Sequence, residues 1–270
     1  MEHTKKQSTA AYSVVLLRQL VKTDFKLRYQ GSVLGYLWSL LKPLFLFGIL
    51  YIVFVEIVKV DYGVQNSGAY LLLGIVIWSF FSEVTGSSVT SIVGKGDLIR
   101  KLNFPKKVIV QAVTFSALIN LSLNMLVVIV FLLLGGADVS VNTFLLPLLF
   151  IQLFVLSLGV GYLLSTAYVK LRDVNYIWDV IMQALFYLTP ILFPITFAPL
   201  WVQKVLMLNP MAQIIQDMRY LLVSQDTSTI ADVYNGNELI RVVPIVITIV
   251  IFIVGALYFS SKSRNFAEDI

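Results

Sequence analysis

The chain has no cysteine, and its one histidine is His3, in a polar amino-terminal tail. Disulfides, thiol chemistry and soft-metal clusters are thereby excluded. Charge is scarce as well. Asp, Glu, Lys and Arg make up 13% of the 270 residues, hydrophobic residues make up 58%, and the mean hydropathy is +0.86. That balance lies outside the range of soluble domains and inside that of polytopic membrane proteins. A phosphate-binding G-x-x-x-x-G-K-[ST] loop is also missing, since Lys95 lacks both the upstream glycine at the right spacing and the following hydroxyl. No internal repeat is visible. No cleavable signal peptide is expected either, because the first dozen residues are polar and the first apolar stretch is amphipathic and carries Arg and Lys.

What is present is apolar sequence in lengths that suit a bilayer. A span needs roughly 20 mostly apolar residues to cross about 30 Å of hydrocarbon. The pattern predicts six spans, at about 35–58, 68–92, 108–134, 143–168, 175–195 and 241–260. An even number places both termini on one side. Of the 20 Lys and Arg residues, all but Lys59, Lys204, Arg219 and Arg241 fall on that side, which the positive-inside rule makes the cytoplasm. The basic pI of about 9.3 is then a signature of topology, and nucleic-acid binding is not needed to explain it.

Between and beside the spans lie the informative stretches. Residues 13–29 project as an amphipathic helix, with Leu16, Leu17, Leu20 and Val21 on the apolar half and Arg18, Lys22 and Lys26 in a stripe beside it. Such a helix lies in the membrane interface. Gly31 and Gly35 allow a sharp turn into the first span. Tyr36, Phe47, Tyr51 and Phe54 share a sector of that span, and Tyr70, Trp78 and Phe81 share one of the second. Stripes of this kind are packing surfaces or, in the functional reading, walls of a wide channel. Glu83, deeper in the second span, is either a functional carboxylate or a hydrogen-bond partner of a neighbouring helix. In the fifth span Tyr176, Asp179, Gln183 and Tyr187 form a polar stripe, suited to an interface or to a hydrophilic channel wall.

Two connections carry further signals. Residues 95–107 hold a short Asp97 to Asn103 segment between glycines and a proline, with Leu98, Ile99 and Leu102 among cations. Residues 170–210 hold prolines at 190, 194, 199 and 210, so the helix beginning near Asn175 breaks close to Pro190 and Pro194. The apolar, interrupted 196–225 segment is expected to form short re-entrant helices at the outer membrane edge. Pro190, Pro194, Pro199, Asn209 and Pro210 would shape them into a gate.

Arg172-Asp173-Val174, Thr189-Pro190-Ile191 and Asn209-Pro210, together with Arg28-Tyr29-x-Gly31-Ser32-x-Leu34-Gly35-x-x-Trp38, resemble in order and spacing the permeases of polysaccharide ABC exporters. These are the ABC-2 type membrane subunits that move lipid-linked O-antigen, capsule or teichoic acid chains across the bacterial plasma membrane. The resemblance runs from about Val14 to the last helix and treats residues 1–270 as one transmembrane domain. It implies an all-α polytopic inner-membrane protein with no cofactor of its own, working with two copies of a separate ATPase that holds ATP and Mg. A homodimer with its channel at the interface is also the physical expectation, since six spans wall off only half of a polymer-wide pore. The interface helix with Arg18, Lys22 and Lys26, and the coupling helix with Asp97, Leu98, Arg100, Lys101 and Leu102, would contact the ATPase. A basic rim of Arg28, Arg100, Lys101 and Lys106 would attract the pyrophosphate of the lipid-linked polysaccharide.

Other readings stand beside it. A teichoic acid exporter or a small-molecule ABC-2 exporter belongs to the same family. An ion-coupled secondary transporter would want repeats and midplane carboxylates, and only Glu83 qualifies. A membrane enzyme acting on polyprenyl-phosphate sugars would want clustered Asp or His near a metal, whereas the inner loops offer only Asp97, Asp173 and Asp179.

Overall fold

A computed structural model describes residues 13–24, 26, 35–135 and 141–270. Among them every regular element is helical. α1 covers residues 13–24. It is followed by α2 (Trp38–Tyr51, continued by a π-helical stretch Ile52–Ile57), α3 (Ser67–Ser91), α4 (Gly96–Lys101), α5 (Lys107–Leu134) and α6 (Leu146–Lys170). Then come α7 (Val174–Leu188), α8 (Leu200–Met207), α9 (Pro210–Leu222), α10 (Ile230–Val233), α11 (Val242–Lys262) and α12 (Phe266–Asp269).

Five stretches are long and apolar enough to cross a membrane: Trp38–Ile57, Ser67–Ser91, Lys107–Leu134, Thr143–Lys170 and Glu238–Lys262. The sixth expected span, 175–195, is shorter than its hydropathy suggests. α7 has 15 residues and ends at Leu188. At roughly 1.5 Å per residue it covers about 22 Å, short of the hydrocarbon thickness. Its end has a local cause, because Thr189 precedes Pro190 and takes an extended backbone (φ −81°, ψ 139°). The expected short helices in 196–225 correspond to α8 and α9.

α3 is the centre of the bundle and packs on α2, α5, α6, α7 and α9. Residues on all its sides are buried, from Ala69 and Leu71 through Ile75 and Ile77 to Val84 and Val89. Helices approach closely where glycine removes a Cβ. A Cβ on Gly159 of α6 would lie 2.7 Å from the Phe252 Cα of α11, and one on Gly161 would lie 2.8 Å from the Ser88 hydroxyl of α3. Gly255 of α11 meets the Gly159 carbonyl in the same way, so α6 and α11 are joined backbone to backbone. Several buried hydroxyls return to their own helices: Thr114 donates to Val110 O at 3.0 Å, Ser157 to Leu153 O at 2.7 Å and Thr166 to Tyr162 O at 2.7 Å.

A second core forms at the end of the bundle where α3 and α6 finish. Leu20 of α1, Ile99 of α4, Phe104, Val108, Phe259 and Phe266 pack together there. It fastens α1 and α4 to the bundle. Lys95 donates to both Asp24 carboxylate oxygens at 2.9 Å, which ties the two elements to one another.

Candidate functional site

The break after α7 is built around Arg219. Asn209 caps α9 by accepting from the Met211 N–H at 3.0 Å, and Pro210 occupies the first turn, where its missing N–H costs nothing. α9 is buried along most of its length, and this sets Arg219 inside the protein with no exposed surface. Its Nε donates to Tyr70 O at 3.0 Å. Nη1 donates to Pro190 O at 2.6 Å and to Gln216 Oε1 at 2.9 Å, and Nη2 donates to Ile191 O at 2.8 Å. The guanidinium also lies 3.6 Å from the centre of the Tyr70 ring. No carboxylate pairs with it among the described residues.

This arrangement solves the accounting problem of a broken helix. Carbonyls at 190, 191 and 192 have left α7 and are buried, so they need donors. Arg219 serves the first two, and the Tyr62 hydroxyl donates to Leu192 O at 2.9 Å. Burial pushes the Tyr62 phenol up to about 12, which keeps it a donor. Gln216 completes the cluster, accepting from the Tyr70 hydroxyl at 3.3 Å and donating to Ser228 O at 3.1 Å. Gly74 is required beside it, since a Cβ there would sit 2.5 Å from Nη2 of Arg219. In front of the cluster is a polar cavity of about 220 Å³, lined by Asp61, Tyr62, Tyr70, Pro194, Phe197 and Gln216 among others.

Of the expected gate residues, Pro190 and Pro194 are buried against this cluster, Pro199 is exposed at the start of α8, and Asn209 and Pro210 open α9. Arg219, Tyr62 and Gln216 were not singled out from the sequence. Arginine binding backbone carbonyls leaves no pattern in the residues it binds, and the only hint was a cation inside an apolar segment.

The expected channel aromatics separate into two groups. Phe47, Tyr70, Trp78 and Phe81 are core residues, which corrects their assignment as channel lining: all four are buried within the chain. Phe47 meets Phe131 edge-on at 5.3 Å, and Trp78 contacts Phe81 and Phe186, each at 5.8 Å. Tyr51 and Phe54 are half-buried against the same core. The side chain of Tyr36 lies outside the described residues. By contrast α7 buries none of its residues, and Tyr176, Asp179, Gln183 and Tyr187 are all exposed on it. Glu83 accepts from Asn120 of α5 at 2.7 Å, the interhelical hydrogen bond rather than an open site.

On the α1–α4 face Arg18, Lys22 and Lys26 are exposed, as are Asp97, Arg100, Lys101 and Leu102. Ile99 is buried, Leu98 is half-buried and Lys106 is partly covered. Arg100 approaches Asp97 only to 3.9 Å, so this exposed pair holds the guanidinium weakly. Arg28, expected on the rim, lies outside the described residues.

Apolar helices of spanning length, a central helix wrapped on every side and a clamped break define a multi-pass helical membrane protein. More narrowly, the chain belongs to the ABC-2 type transporter family, which matches residues 15–223. It is similar to the O-antigen export system permease protein RfbA of Klebsiella pneumoniae, 27% identical over 265 residues that cover 98% of each chain. The RfbA protein of Myxococcus xanthus is 26% identical over 94% of this chain and 95% of its own length. The polysialic acid transport protein KpsM of Escherichia coli is 23% identical over 75% of this chain and 79% of its own. The family expected from the motifs is therefore the family found.

Proposed function

We propose that this protein is the permease subunit of an ATP-driven exporter that moves a polyprenyl-lipid-linked polysaccharide of O-antigen type from the cytoplasm to the outer face of the plasma membrane. The observation that carries this reading is the open polar face of α7 in a chain that is alike over 98% of its length to an O-antigen permease. A helix burying none of its residues, with Asp179, Gln183 and Tyr187 exposed, suits a surface completed by a second copy of the chain. Two such faces would enclose a hydrophilic path at a homodimer interface.

In this reading α7 is the fifth crossing, with the clamped 189–199 segment completing the passage, and α8 and α9 lie at the outer edge. Both termini are then cytoplasmic, in keeping with the distribution of Lys and Arg. The exposed Arg18, Lys22, Lys26, Arg100 and Lys101, with Leu102, form the docking surface for two ATPase subunits. Because Lys95 holds α1 to α4 through Asp24, a push on either is shared by both. The same cations, with Arg28 and Lys106, attract the pyrophosphate of the substrate.

The test is ATP hydrolysis by the protein reconstituted in lipid with its ATPase, with and without an undecaprenyl-linked glycan. Stimulation by the glycan is expected. Stimulation by small amphiphiles instead would replace this reading with a drug exporter, and failure to bind any ATPase would remove the ABC mechanism. Leu102→Ala is expected to leave basal hydrolysis intact and abolish its response to the glycan.

A further inference from the structure

Away from the α7 break, the starts of α6 and α11 and the middle of α9 enclose a groove of about 420 Å³, within the range of small-molecule sites. One part of it is apolar and open along the side: Leu148 is 62% exposed and Ile151 59%, with Ile245 and Ile249 across from them on α11. The other part is polar. Gln152 donates to Gln213 Oε1 at 2.7 Å, and Gln213 donates to Asp217 Oδ2 at 2.6 Å. Arg241 approaches from α11, holding Glu238 at 2.7 Å and donating to Thr229 at 3.3 Å.

One polar atom on each of two residues of opposite charge is left without a partner there. Asp217 is nine-tenths buried and its Oδ1 has no partner, and Nε of Arg241 has none either. The two residues line the same groove yet form no ion pair with each other among the described residues. Buried polar atoms of this kind are uncommon and call for a partner. Burial, the largest influence, raises the Asp217 pKa, and Gln213 and Arg241 oppose it. A cation seated beside Oδ1 would favour the ionised form and offset the cost of burial.

We propose that this groove binds a membrane aminophospholipid, with the primary ammonium of a phosphoethanolamine head group on Asp217, its phosphate on Arg241 and one acyl chain along Leu148, Ile151, Ile245 and Ile249. The head is a zwitterion that matches an acid and a base held apart. A trimethylammonium has no N–H to donate to Asp217, and the glycerol head of an anionic lipid offers it hydroxyls but no cation. The inference rests on this groove alone and does not depend on what the protein transports.

Native mass spectrometry of the full-length detergent-purified protein tests it, using phosphatidylethanolamine, phosphatidylcholine and phosphatidylglycerol with identical acyl chains. Retention of phosphatidylethanolamine about tenfold above the other two is expected, the equivalent of one charge-assisted hydrogen bond. Asp217→Asn should reduce it to the level of phosphatidylcholine. Leu148→Trp and Ile249→Trp, at exposed positions that tolerate bulk, should lower retention of all three lipids with the helical circular dichroism unchanged. Equal retention of the three lipids, a preference that survives Asp217→Asn, or a preference for phosphatidylglycerol would each overturn the proposal.

Discussion

α3 and α7 are adjacent apolar helices with opposite fates. In α3, 78% of the most apolar window is buried, and its neighbours α2, α5, α6, α7 and α9 surround it. In α7 no residue is buried. Hydropathy marks both as spans. The difference lies in what surrounds each helix, so the aromatic residues of α3 are spent on packing while the polar stripe of α7 stays available. A surface meant for a partner or a substrate is found where side chains remain unsatisfied, and an aromatic stripe by itself does not locate it.

The largest effect that would break this contrast is expected at Arg219, the anchor between the two helices. Arg219→Ala leaves Pro190 O and Ile191 O without donors, a loss of about 2–6 kcal/mol at 1–3 kcal/mol for each buried orphan. It should appear as a collapse in yield and in melting temperature in detergent. Arg219→Lys should recover only part, because a single ammonium cannot reproduce the planar fork of four hydrogen bonds. A variant as stable as the parent would show that the break holds itself.

Next comes Phe81→Ala in α3, expected to cost about 2–3 kcal/mol in thermal melting. That is below the loss in a water-soluble core, since lipid is nearly as apolar as the protein interior and the cavity dominates. Tyr187→Ala in α7 is the matched control. It should change melting of the monomer by less than about 0.5 kcal/mol, yet lower the dimer fraction in chemical crosslinking. Equal destabilisation by Phe81→Ala and Tyr187→Ala would erase the distinction between the helices.

Gln183→Leu sharpens the same point, with melting unchanged and glycan-stimulated hydrolysis reduced. At Lys95→Ala the expected effect is a small one on stability alone. Its pair with Asp24 is about one-fifth exposed on either side, so the loss is roughly 0.5–1 kcal/mol and fades in high salt. Limited proteolysis of α1 should report it.

Much of this was legible from residues. Four long spans, the carboxy-terminal apolar helix among them, and the α2 span follow from hydropathy alone, and the end of α7 follows from the proline after Thr189. Asn209-Pro210 declares a helix start by its own chemistry. The sixth expected span, 175–195, is not among the five helices of spanning length, because the apolar run continues through Ile191, Leu192 and Phe193 while the helix stops at Leu188. The Phe47, Tyr70, Trp78 and Phe81 stripes misled for a related reason: a helix buried all round has no face for periodicity to detect. Arg219 reads as one more outer cation, since three of its four hydrogen bonds go to main-chain oxygens that every residue carries.

That last property has its own consequence. On the 190–191 strip the fastener grips only main-chain oxygens, so it reads no side chain there. The course of the backbone at 190 and 191 is thereby set by its own carbonyls and not by the identity of the residues that carry them.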